Sequence, residues 1–528
     1  MGGRFGLASK EFLPSHAAAV FENLDAKKPL RDFSVGIMDD VTHRSLPDSR
    51  WLPLGTRTLP KGTFECLFWG MGSDGTVGAN KEAIKIIASS AGMSAQAYFS
   101  YDAHKSGGVT VSHLRFGPSP IDSPYLVQQA DYLAVNHQSY MAKYDTLASL
   151  KPGGVLVLNT VFTSPDSLGK YLPDKVKKQI AALKPQLYVI DAQSVAKASG
   201  LGKHVNMVMQ TVFFNLSGVL PMEKALALLK KSITKAYERK GPEVVAKNHS
   251  AVDMAVAALK KLDIPASWSS LPTHVVNPNP PAKGNTSRWE FIETVAKPML
   301  ALEGDKLPVS VFSPEGFVPP GTTVIEKRAI AAQVPIWKAE NCTQCNICAF
   351  VCPHAAIRPA LASPADLVGA PATFGTIQAK GPGMGDLKYR IQVSPYDCTG
   401  CDLCTHACPD DALQSVPINS VLEVETANWD FAGTLPARTD IMDKATVKGS
   451  QLQPPLMEFS GACEGCGETP YVKLLTQASY WEGGEWRAVL GVPTASHVRL
   501  PCGGRSMPPG LTSKRDVSTR IPPTHSCE

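Results

Sequence analysis

The sequence predicts a multidomain chain, α/β plus α+β: a mostly parallel α/β domain, then a small linker domain, then a compact domain organised by cysteine. Three observations carry this. Strand-like and helix-like segments alternate between residues 61 and 268, composition turns to Pro, Asn, Gly and Ser over 269–334, and eight of the 13 cysteines stand in two copies of one pattern within 335–435. A chain of 528 residues that is 44% hydrophobic can bury several cores. Length alone suggests roughly three or four domains.

Residues 1–60 do not read as the start of a domain: SHAAAVFENL is helical, FSVGIMDDV reads as a buried strand, and a Pro-rich stretch follows. From Phe64 a regular alternation begins. Strands are expected near ECLFWG, AQAYFSYD, GVTVSHLRFG, DYLAVNH, GVLVLNT and LYVIDA, with helices near KEAIKIIASS and DKVKKQIAAL. Strands alternating with helices argue for parallel pairing, because a parallel crossover needs a helix-length connection. Two further helices, over 222–239 and 242–262, place apolar residues at helical spacing. PTHVVNPNPPAKGNTS and SPEGFVPPGTTVIEKR mark a linker or a small, poorly cored module. After Gln477 no periodic apolar pattern survives, so residues 478–528 read as a divergent, irregular tail.

The cysteine runs are Cys342, Cys345, Cys348 and Cys352 in CTQCNICAFVCP, then Cys398, Cys401, Cys404 and Cys408 in CTGCDLCTHACP. CxxCxxCxxxCP is the cysteine spacing of bacterial ferredoxins, so the segment reads as a two-cluster, ferredoxin-like domain with two 4Fe-4S clusters. Three closely spaced thiolates grip irons from one tight loop, and the next turn carries the fourth thiolate to the other cluster. The expected sets are therefore Cys342, Cys345, Cys348 and Cys408 for cluster one, and Cys398, Cys401, Cys404 and Cys352 for cluster two. Pro353 and Pro409 turn the chain out of each loop. Zinc and disulfides are the blander readings, but zinc usually takes two CxxC or Cys/His pairs.

GMGSDGTVGANK, residues 70–81, links the first strand of the α/β domain to its first helix. A Gly-rich turn at a helix N-terminus aims backbone N–H groups and the positive end of the helix dipole at one point, which suits a phosphate or pyrophosphate. Gly70, Gly72, Gly75 and Gly78 permit close approach, and Ser73, Thr76, Asn80 and Lys81 add side-chain donors. The spacing is neither a dinucleotide fingerprint nor a P-loop. On the pattern alone, an anion site and a tight strand-to-helix turn stand level.

A net charge of +5 gives no case for nucleic acid, and no apolar run is long enough to span a membrane. Cysteines at metal-type spacings imply a reducing interior. Exposed low-potential clusters point further to an anoxic setting, cytoplasmic by default.

The order of these pieces resembles the pyruvate:ferredoxin (flavodoxin) oxidoreductase family. The matching segments are GGRFGLASKEF, VGIMDDVTH, GMGSDGTVGANK, GVTVSHLRFGP, VMQTVFFNLSGVLP, GTTVIEKRAIA, ENCTQCNICAFVCPHAAIRP and GACEGCGETPYVKLL, in family order from residue 1 to about 477. The resemblance implies oxidative decarboxylation of pyruvate with coenzyme A (CoA) to acetyl-CoA and CO2, with thiamine diphosphate and three 4Fe-4S clusters passing electrons to ferredoxin or flavodoxin. It implies that residues 1–60 end a transketolase C-terminal-like domain, that 61–268 form the gamma-type α/β oxidoreductase domain, and that 269–334 include the small domain named for Glu326, Lys327 and Arg328. On the same ground, 335–435 form the 2[4Fe-4S] domain and 436–477 begin the thiamine diphosphate domain. Gly72, Ser73, Asp74, Gly75, Thr76, Asn80 and Lys81 become the CoA contact. Cys463 and Cys466 become the first pair of a third cluster, and the charges of the Glu326–Arg328 triplet read as a solvated face.

Where the chain departs from the family, its expected competence narrows. The pyruvate-binding domain is absent, and no GDG with a downstream Asn is present to hold magnesium and diphosphate, so thiamine diphosphate is not expected in this chain and no catalytic residue is assigned. Cys502 and Cys527 lack the family's surroundings as completing ligands, which leaves the third cluster without a full set. The expectation is an electron-transfer and CoA-contact portion, inactive without the missing catalytic domains. A stand-alone two-cluster electron carrier and an oxidoreductase for another 2-oxo acid are the alternatives.

Overall fold

A computed structural model describes residues 3–5, 11–37, 39–72, 74–90, 92–104, 107–202, 204–271, 288–482 and 485–488. Ser73, Cys502, Cys527 and nearly all of the tail, to which the sequence assigns roles or no structure, lie outside the described residues. Among the described residues no helix is long and apolar enough to cross a membrane.

Three short strands, β1 (Gly3–Phe5), β2 (Phe33–Val35) and β3 (Ser45–Leu46), pair in parallel in that order. Helix Pro14–Asp25 covers them, and Ala19, Phe33, Val35 and Leu46 make a small core.

The α/β domain follows with β4 (Phe64–Met71), β5 (Ser94–Tyr101), β6 (Val109–Gly117), β7 (Ala130–Val135), β8 (Leu150–Asn159), β9 (Gln186–Ile190) and β10 (Lys260–Leu262). Their order is β10-β9-β8-β7-β4-β6-β5. The expected parallel sheet is its centre, β9-β8-β7-β4. Antiparallel strands extend it at both edges, β6 and β5 on one side and β10 on the other. Both faces are covered, as the alternation in β4 demands: Cys66 and Phe68 enter one core while Leu67 enters the other.

Two elements of the α/β domain show most plainly where the structure differs from the sequence reading. Helix Asn206–Ser217 went unread because Met207 to Phe214 are all buried, and an all-round apolar helix has no amphipathic period. Phe213 is its keystone, with ring centroids 5.2 Å from Phe68 and 5.3 Å from Tyr132. The helix expected over 242–262 stops at Ala258, and its last residues become edge strand β10, antiparallel to β9. Exposed Lys260 and Lys261 suit that position, since charge on an edge strand blocks further pairing.

In the cysteine domain β11 (Gln333–Trp337) pairs with β15 (Leu413–Pro417), and β12 (Ile357–Ala362), β13 (Ile377–Gln378) and β14 (Lys388–Val393) form a sheet in the order β12-β14-β13. The two cysteine runs adopt one backbone. Gln344, Asn346 and Ala355 have positive φ in the first, and Gly400, Asp402 and Asp411 do so at the matching positions of the second. Beyond Gln477, where no structure is expected from the sequence, Ser479–Glu482 and Glu485–Ala488 pair as antiparallel strands.

Candidate functional site: the cysteine relay and the glycine-loop cavity

Each cysteine run ends its loop in a short helix, Ile347–Val351 in the first and Leu403–His406 in the second. These helices carry Cys348 and Cys404 into the interior, where each is less than a tenth exposed. Burial pushes the Cys348 thiol up to about 12, and the other thiols acting on it are Cys345, Cys342 and Cys408. Burial likewise pushes Cys398 up to about 12, with Cys352 and Cys401 beside it. Cys404 shifts upward for the same reason among Cys352, Cys398, Cys348 and Cys401. Cys408 is thus among the thiols that act on Cys348 of the first run, Cys352 among those that act on Cys398 and Cys404 of the second, and Cys348 itself acts on Cys404.

The donor set fits iron–sulfur clusters. Buried thiols resist ionisation unless a cationic body neutralises them, and thiolates at this spacing select such clusters. Among the described residues no three His, Cys, Asp or Glu converge on a single ion. Thiolates around a cluster lie farther apart than ligands sharing one zinc, so that absence does not bear on the cluster reading. Backbone donors reach the sulfurs as well: the Ala412 N–H lies 3.2 Å from Cys408 Sγ.

The third pair lies against the second run. Gly465, between Cys463 and Cys466, has φ +70, and a Cβ there would stand 3.8 Å from Cys401 Cβ. Its N–H donates to the Cys401 thiol. The Cys466 thiol is lowered, first by the Thr469 N–H. Helix Thr469–Ala478, which follows, inserts Lys473 beneath the first run at 2% exposure. Burial lowers this lysine to about 8.

The glycine loop lines a cavity of about 570 Å³, to which Gly72, Asp74, Gly75 and Gly78 contribute together with Asp102 and His104. Close packing fixes the turn. A Cβ on Gly70 would lie 2.8 Å from Thr76 Cβ, and Gly75 has φ +86 with Asn206 3.0 Å from its would-be Cβ. The Asp74 carboxylate closes the loop on itself, accepting from the N–H groups of Met71 at 2.8 Å and Thr76 at 2.7 Å. Thr76, Asn80 and Lys81 do not line the cavity. Thr76 accepts from Asn136 at 2.8 Å, Asn80 is buried, and the Lys81 ammonium lies 5.3 Å from the Phe99 ring centroid.

A second cavity of about 420 Å³ shares Met71, Asp102, Ala103 and His104 with the first and is closed by residues of the linker domain, Glu326 and Arg328 among them. The triplet expected to be a solvated face is instead a fastening. Glu326 meets His104 Nε2 at 2.9 Å, and Lys327 pairs with Asp397, the neighbour of Cys398. His104 Nδ1 lies 3.1 Å from Asp102. Hydrogen bonds donated to Asp102 first, and then to Glu326, raise the imidazole to about 9. Neither His104 nor Lys473 carries a sequence signal, because Glu326 and the carbonyls that hold Lys473 lie far away in the chain.

The fold and its cysteines define a class: an α/β oxidoreductase domain joined to an iron–sulfur domain. Family models match accordingly, for pyruvate ferredoxin/flavodoxin oxidoreductase over residues 65–258, for a domain of unknown function over 277–331, and for a 4Fe-4S dicluster domain over 341–412. The chain is 52% identical over 479 residues to the pyruvate:ferredoxin oxidoreductase of Moorella thermoacetica, covering 90% of this chain and 40% of that protein. It is 48% identical to the pyruvate-flavodoxin oxidoreductase of Enterobacter agglomerans, with the same coverage of each. With the pyruvate dehydrogenase [NADP(+)] of Cryptosporidium parvum it shares 48% identity over 90% of this chain and 26% of that one. The chain is a homologue of the pyruvate:ferredoxin (flavodoxin) oxidoreductases and spans less than half of their length.

Proposed function

We propose that this chain is the electron-transfer and CoA-contact portion of an oxidoreductase that decarboxylates pyruvate with CoA to acetyl-CoA and CO2 and hands the electrons to ferredoxin or flavodoxin. What supports the reading is that Cys408 acts on Cys348 together with Cys342 and Cys345, while Cys352 acts on Cys404 together with Cys398 and Cys401. On this reading, Cys342, Cys345, Cys348 and Cys408 hold one 4Fe-4S cluster, and Cys398, Cys401, Cys404 and Cys352 hold the other. The clusters supply one-electron storage and transfer. The chain's own residues bury the ligands, donate N–H groups to the sulfurs, and keep the two groups adjacent.

Cys463 and Cys466, which flank the Gly465 that approaches Cys401, are the proposed entry side of the relay. The glycine-loop cavity is the proposed CoA contact, through the backbone of Gly72 and Gly75. Asp74 shapes this loop and adds negative charge to it. Pyruvate chemistry then falls to domains outside this chain, since clusters alone have no means of stabilising a carbanion. A reducing, anoxic interior is the proposed setting. Against a stand-alone carrier stands the cavity fastened to the cluster domain through Glu326 and Lys327.

Anaerobic reconstitution tests the reading. About eight irons per chain and two interacting 4Fe-4S signals are the expected result; tightly bound zinc with no iron would overturn it.

A further inference from the structure

Lys473 presents its ammonium to three backbone carbonyls, Ala349 O, Phe350 O at 3.1 Å and Cys352 O at 3.0 Å. Three acceptors around one nitrogen call for three N–H donors, which only the charged form supplies. The carbonyls belong to the C-terminal end of helix Ile347–Val351, where the dipole favours a cation. That position is unusual in its neighbours. The side chain is fully buried, and the groups acting on its charge are the Cys352 and Cys348 thiols and Arg358, with no carboxylate among them. A buried charge is ordinarily paired. Here the negative partners at hand are cysteines assigned to different clusters.

We propose that Lys473 is a positioning residue whose ammonium, held by three carbonyls, raises the reduction potential of the cluster pair and holds Cys348 and Cys352 in register. The proposal rests on the cluster assignment above. Adding an electron beside a buried cation is favoured, and net charge together with hydrogen bonding is what sets the potential of such clusters. Lys473 comes from helix Thr469–Ala478, just after the third CxxC, so the segment that brings Cys463 and Cys466 to the relay also brings the charge that tunes it.

The test is an anaerobic redox titration of the reconstituted full chain, followed by electron paramagnetic resonance, comparing the native protein with Lys473→Met, Lys473→Gln and Lys473→Arg. The titration delivers one electron per cluster from dithionite, and no covalent bond is made or broken at Lys473. Removing the charge in Lys473→Met and Lys473→Gln is expected to disfavour reduction about tenfold, 59 mV for a one-electron couple, while Lys473→Arg stays near the native potential. Iron analysis separates the two layers of the argument. A native chain without about eight irons defeats the cluster assignment itself, whereas full iron with unchanged potentials in Lys473→Gln defeats only the role of Lys473. If Lys473→Met loses its iron, Lys473→Gln against Lys473→Arg decides. Equal shifts in that pair, or loss of iron from both, would show a structural residue and overturn the proposal.

Discussion

Replacing His104 with Gln should remove a pH-dependent fastening between the α/β domain and the linker domain. His104 bridges Asp102 and Glu326 and is 17% exposed, and its imidazole is raised from 6.5 to about 9. A folded-state value above the unfolded one means that the stabilisation is fully present below about pH 6 and is lost as pH rises through about 9. The shift of roughly 2.5 units corresponds to about 3 kcal/mol at low pH and somewhat less at pH 7. Arg328 opposes the shift, and Lys143, Tyr140 and Tyr144 share the surrounding cavity. Burial raises both tyrosines, away from the window, and lowers Lys143, toward it. Since H104Q keeps Lys143, the difference between native and variant isolates the histidine. Trp69, stacked on Tyr144 at 5.7 Å, reports the region by fluorescence. For a domain of roughly 200 residues, about 3 kcal/mol corresponds to some 6 to 12 °C in Tm. The native Tm should exceed that of H104Q by about this much at pH 6 and converge with it near pH 10. Parallel curves across that range would refute the reasoning.

Other perturbations follow from the same geometry. Cys408→Ser should remove the cluster of the first run and leave that of the second, so iron analysis should fall from about eight to about four per chain; retention of the first-run signal would contradict the exchange of fourth cysteines. Gly75→Val forces a β-branched residue to φ +86 against Asn206. Calorimetric binding of CoA should weaken about tenfold for a strain of 1–2 kcal/mol, with iron content unchanged. Phe213→Ala opens a void among Phe68, Phe116 and Tyr132 and should destabilise the α/β domain by about 3–5 kcal/mol in urea unfolding.

What the sequence discloses depends on how local the physics is. The cysteine runs are legible because ligand spacing is set within one turn of chain. The strands of the α/β domain are legible because apolar runs between turn residues leave few alternatives. Helix Asn206–Ser217 is hidden because burial on every side erases its period, and β10 because AVAALKKL continues a helical pattern into a strand that only β9 can stabilise. The glycine loop is half legible: its turn shows in the glycines, but the capture of its donors by Asp74 and of Thr76 by Asn136 does not. Lys473, bonded to carbonyls 124, 123 and 121 residues away, has no local trace at all.

These non-local contacts share a direction. Glu326 joins the linker domain to the rim of the glycine-loop cavity, and Lys327, the next residue, joins it to Asp397 beside Cys398. The Ala329 N–H donates to Tyr396 O at 2.9 Å, on the same approach to the second cysteine run. Gly461, two residues before Cys463, packs so closely on His104 that a Cβ would stand 3.0 Å from its ring. His104 therefore touches the linker domain and the segment of the third cysteine pair while lining the glycine-loop cavity.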